Sequence, residues 1–173
     1  MPDLREQLEP CFQGRVCLMG VGNPDYGDDG LGVHLANELT AAGVPDVVAA
    51  GNTPERYLGW VVGERFDHLL FLDAVDFGAE PGSVVFLNGD EIVARFPQIS
   101  THKISLGLLS QWAQARSVTR AWLLGVQPAS LQPAAPLSDT VQTTLRLLRE
   151  LLVTLSRGSA PPAGGYGRGY EVA

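Results

Sequence analysis

Little in this chain suits a nucleic acid or a membrane. Lys and Arg number 12 against 19 Asp and Glu, a formal net charge of −7. No basic cluster occurs, so neither a phosphodiester backbone nor an anionic bilayer meets a complementary surface. A basic peptide, a basic protein face or a metal ion fits the sign better. No apolar run approaches the ~18 residues of a membrane span, and the opening Met1-Pro2-Asp3-Leu4-Arg5-Glu6 has no apolar signal core. A cytoplasmic location is expected. Cys11 and Cys17 are the only cysteines. Cys17 lies within an apolar run and reads as a small buried hydrophobe, not a disulfide half or thiolate ligand. Gly-x-Ser-x-Gly, His-Glu-x-x-His, Cys-x-x-Cys and P-loop patterns are all missing. Their absence removes the commonest serine-hydrolase, zincin, zinc-ribbon and NTPase chemistries.

What is present is a chain of 173 residues, 45% hydrophobic and 18% charged, which specifies one globular domain. Apolar and β-branched runs at 15–21, 46–50, 68–74, 83–87 and 121–126 read as strands. Helical stretches at 30–42, 54–64, 103–114 and 139–155 alternate with them. Thr53 before Pro54, and Ser138 before Asp139, are N-cap candidates. The strands at 15–21 and 68–74 are apolar almost throughout, as both faces of a covered sheet require. The expected fold is α/β, a three-layer α/β/α sandwich on a five-stranded, mostly parallel sheet. The link 76–81 is too short for a helical crossover, so the strand at 83–87 should run antiparallel to that at 68–74. Residues 1–14 form an N-terminal extension and 15–157 the domain. Residues 158–173, rich in Gly and Pro, are expected to be a disordered tail.

In an open α/β sheet, ligands bind beyond the carboxyl ends of the strands. There the first strand runs into Gly20-Val21-Gly22-Asn23-Pro24-Asp25-Tyr26-Gly27-Asp28-Asp29-Gly30. A strand entering Gly-x-Gly usually announces a phosphate cradle, but Asp25, Asp28 and Asp29 would repel phosphate and attract a cation. The apolar strand Leu69-Leu70-Phe71-Leu72 ends in Asp73, with Asp76 three residues on, and Ser100-Thr101-His102 precedes a helix. Two carboxylates and an imidazole at one edge can hold a borderline ion such as Zn²⁺, Ni²⁺ or Mn²⁺. They can equally form a metal-free acid–base pair. A structural account is also open: Asp29 as a helix N-cap, Asp73 capping a turn, His102 bonded to backbone at a helix start, and Asp25 and Asp28 as solvated turn residues. His34, on the first helix, and His68, at the far edge of its strand, read as surface or rim residues.

Taken together, Gly20-Val21-Gly22-Asn23, Gly27-Asp28-Asp29-Gly30-Leu31-Gly32-Val33, Leu72-Asp73-Ala74-Val75-Asp76 and Ser100-Thr101-His102-Lys103-Ile104-Ser105-Leu106 resemble the [NiFe]-hydrogenase maturation endopeptidases. So do Gly125-Val126-Gln127-Pro128 and Leu137-Ser138. The likeness spans about residues 15–155, leaving Pro24-Asp25-Tyr26 and the tail outside the shared pattern. It implies an endopeptidase that clips the C-terminal extension of a hydrogenase large-subunit precursor after nickel insertion. It further implies that Asp29, Asp73 and His102 contact nickel supplied by the precursor, without an organic cofactor and in a monomer. The competing expectations are a metal-dependent hydrolase of a small molecule and a non-catalytic nickel-binding accessory protein.

Overall fold

The structure, a computed structural model, describes residues 1–96 and 105–158. Its five strands are β1 (Val16–Val21), β2 (Val47–Gly51), β3 (His68–Ala74), β4 (Val84–Asn88) and β5 (Arg120–Val126). They form one sheet in the order β2-β1-β3-β5-β4, parallel except for the β4–β5 pair. The antiparallel direction of β4 agrees with its short approach from β3. Its hydrogen-bonded neighbour is β5, however, because β5 fills the place beside β3.

Six α-helices cover the sheet among the described residues: α1 (Leu4–Leu8), α2 (Leu31–Ala41), α3 (Leu58–Gly63), α4 (Gly89–Arg95), α5 (Leu106–Arg116) and α6 (Asp139–Gly158). Alternation along the strands separates two cores. Cys17, Met19, Leu69 and Phe71 pack with Leu58, Ile92, Leu106 and Leu109 on the α3–α4–α5 side. Leu18, Leu70 and Leu72 pack with Leu8, Leu35, Leu145 and Leu152 on the other. The α/β/α sandwich is therefore realised, each face closed by helices.

Three local expectations are corrected. Residues 54–64 start as a 3₁₀ turn, Pro54–Tyr57, before α3. The Thr53 hydroxyl does not cap it but donates back to the Ala50 carbonyl (3.4 Å). Two short helices, α1 and α4, appear where none was expected. Each opens with a capping box, Asp3 with Glu6 and Asn88 with Glu91. Finally, the first fourteen residues, set apart by sequence, contribute core: Leu8, Cys11 and Phe12 are buried. Both cysteines are free and buried, and burial pushes both thiols upward, Cys11 to about 12. Ser138 does cap α6, accepting from the Val141 N–H (3.4 Å).

Candidate active site

The turn after β1 depends on a glycine. Gly22 has φ +129°, and a Cβ there would collide with the Asp29 carbonyl and stand 3.6 Å from Asp73 Oδ1. Only glycine lets the turn, Asp29 and the end of β3 come this close. The next residue, Asn23, donates its N–H to Asp29 Oδ2 (2.9 Å). Asp29 belongs to a 3₁₀ turn, Gly27–Gly30, that leads straight into α2 and lies against β3. Gly30 occupies the N-cap position of α2, so the cap assignment for Asp29 does not hold.

Asp73 continues the series Leu69, Phe71 on the face covered by α3, α4 and α5, in register with Gly125 of β5. The two carboxylates thus converge on Gly22–Asn23 at the carboxyl edge, Asp29 with 5% and Asp73 with 4% exposure. Carboxylates withdrawn from water favour a cation or hydrogen-bond donors as company. His102 lies outside the described residues, three positions before Ser105, whose side chain caps α5. Among the described residues no group of three His, Cys, Asp or Glu side chains is arranged to hold a metal.

The remaining acidic candidates separate. Asp25 and Asp76 are exposed. The Asp76 carboxyl is held below the usual carboxylate range by the hydrogen bond from Gln127 (3.0 Å) and by the Gly78 N–H (3.1 Å). Asp28, read as a possible solvated turn residue, is instead fully buried. Its carboxylate accepts from Ala129, Ser130 and Ser138. Those partners stand 101 to 110 residues away in the chain, so no local pattern signals them. His34 is exposed. His68 is half-buried at the opposite edge, where its Nδ1 accepts from Trp122 Nε1 (3.0 Å).

This chain is similar to known proteins over most of its length. The family model described as HycI, hydrogenase maturation protease, matches residues 33–155. The hydrogenase expression/formation protein HupD of Bradyrhizobium diazoefficiens is 32% identical over 86% of this chain and 85% of its own. The hydrogenase 3 maturation protease of Escherichia coli K12 is 31% identical over 76% and 86%. Among solved structures, a [NiFe] hydrogenase maturation protease HycI from Thermococcus kodakarensis superposes with a TM-score of 0.78. It is 28% identical over 87% of this chain and 99% of that one. The hydrogenase maturating endopeptidase HybD from E. coli gives 0.70 at 28% identity, over 84% and 93%. With this breadth of likeness in sequence and in fold, the chain belongs to the hydrogenase maturation protease family and is a peptidase.

Proposed function

We propose that this chain removes the C-terminal extension of a [NiFe]-hydrogenase large-subunit precursor once nickel has been inserted. Asp29, Asp73 and His102 would contact the nickel that the precursor itself carries. The observation that carries this reading is the convergence of two buried carboxylates on Gly22–Asn23 at the carboxyl edge of the sheet. An oxygen, oxygen, nitrogen donor set leaves coordination positions for the precursor's own ligands. Nickel is then part of the substrate, and a precursor without it lacks the element that docks at the site. Metal loading becomes the checkpoint. No organic cofactor enters the scheme, and the enzyme acts as a cytoplasmic monomer.

The cut is made by water. Cys11 and Cys17 are buried with thiols pushed upward, so neither supplies a thiolate at neutral pH. The water loses its proton to a carboxylate of the site, or is activated by the nickel; in either case the site holds the peptide against it.

Purified protein mixed with nickel-loaded and nickel-free precursor, followed by mass spectrometry, tests the reading. Loss of the C-terminal peptide from the loaded sample alone is expected; equal cutting of both would overturn nickel recognition. Elemental analysis of the isolated protein should find well under one equivalent of nickel or zinc. A full equivalent surviving dialysis against chelator would favour the small-molecule metallohydrolase instead.

A further inference from the structure

Asp28 and Asp29 are chemically identical neighbours with different surroundings. The Asp28 carboxylate accepts four hydrogen bonds: from the N–H of Ala129 (2.8 Å), Ser130 (3.1 Å) and Ser138 (2.7 Å), and from Ser138 Oγ (2.9 Å). Three of these donors reach Oδ2 and one reaches Oδ1, so both oxygens of this buried carboxylate are committed to the junction. Main-chain bonds reinforce the junction: the Asp28 N–H donates to the Ser130 carbonyl (3.0 Å) and the Ala134 N–H to the Asp25 carbonyl (2.7 Å). The connection 127–138 between β5 and α6 also grips the loop that follows Asp73. Gln127 Nε2 donates to Asp76 Oδ1 (3.0 Å), while its Oε1 accepts from the N–H of Phe77 (2.9 Å) and Ala79 (3.2 Å).

We propose that the 127–138 connection is the frame that sets the spacing of the two site carboxylates. Asp28 and Ser138 fix the turn presenting Asp29, and Gln127 fixes the loop leaving Asp73. This rests on the reading of Asp29 and Asp73 as the site. Asp28, Ser138 and Gln127 are positioning residues that act through the two aspartates. An amide at position 28 would turn an NH₂ toward donors that need an acceptor, so Asp28→Asn must disrupt the junction.

The test uses the full chain as wild type, Asp28→Asn, Ser138→Ala and Ser138→Thr, assayed on nickel-loaded precursor below the lowest melting temperature. The amide NMR signal of Asn23, which donates to Asp29 Oδ2, is followed in parallel. Because misplacing a reacting group by about 1 Å can cost on the order of 100-fold, Asp28→Asn should lower kcat about 10- to 100-fold with KM changed less than about 3-fold. Ser138→Ala, which keeps the main-chain donor, should lose less, and Ser138→Thr should recover the loss. The Asn23 amide should move upfield and exchange faster in Asp28→Asn and Ser138→Ala, and return in Ser138→Thr. Wild-type kcat in folded Asp28→Asn, a loss explained wholly by unfolded protein, or an unmoved Asn23 amide would overturn the frame. Should the wild type fail to cut the precursor, the functional reading falls, and the Asn23 amide still decides whether the frame sets Asp29.

Discussion

Asp29→Asn and Asp73→Asn keep side-chain volume while removing the charge. Each is expected to reduce precursor cleavage by at least about 100-fold, the scale of losing one electrostatic contact to a reacting centre. Their stability should change by no more than about 1–2 kcal/mol, since neither fills the apolar core. Urea midpoints beside cleavage rates check this; an Asp73→Asn protein as active per folded molecule as wild type would make the residue structural. A second residue-scale expectation concerns His68. Burial lowers its pKa from 6.5, with Asp67 opposing and Arg120 assisting, and the Trp122 N–H needs an unprotonated Nδ1. The unfolded chain therefore takes up this proton at higher pH than the folded one. The contribution is fully present above 6.5 and is lost as pH falls below it. The difference in urea midpoint between wild type and His68→Asn, measured at pH 7.5 and 5.5, isolates this from other groups: the wild type should lose more on acidification.

Elements show where a pattern in sequence suffices and where it stops. The inner strands β1 and β3 were legible because Cys17-Leu18-Met19 and Leu69-Leu70-Phe71-Leu72 are apolar on both faces, and the structure buries both. Phe71→Ala should accordingly cost about 3–5 kcal/mol. Helices α1 and α4, with five and seven residues, are too short for a 3.6-residue period to emerge; only their capping boxes marked them. The direction of β4 followed from its loop length, but its neighbour did not, because a gap left beside β3 is filled much later by β5. In the site, Asp73 stood out as the polar end of an apolar strand. The distinct surroundings of Asp28 and Asp29 did not, because long-range partners distinguish them. The contact of α2 with the sheet is as exacting as the strand core. A Cβ at Gly32 would meet the main chain of Val21 and Leu72, so Gly32→Ala should destabilise by about 3 kcal/mol or more. Thermal unfolding of the two variants measures both costs.

For the whole molecule, the two chain ends should behave differently. Deleting residues 1–14 removes Leu8, Cys11 and Phe12 from the core and should cost at least about 3 kcal/mol. A chain ending at Gly158 is expected to keep its melting temperature and its cleavage rate, since Gly- and Pro-rich sequence adds little apolar surface; calorimetry and the precursor assay check both ends. The two buried thiols offer a way to watch these regions separately. Cys11 sits in the N-terminal 3₁₀ segment and Cys17 in the middle layer of the sheet, both with no exposed surface. A thiol reagent can reach either one only during an opening of its own element, so the pair acts as two internal clocks with different settings. Cys11 should be labelled first, at the rate of N-terminal detachment, and Cys17 only when the sheet itself comes apart. In Cys17→Ser the slow phase should vanish; a single shared rate in the wild type would mean that the N-terminal segment and the sheet open as one unit. Each molecule thereby carries a built-in record of how far it has opened.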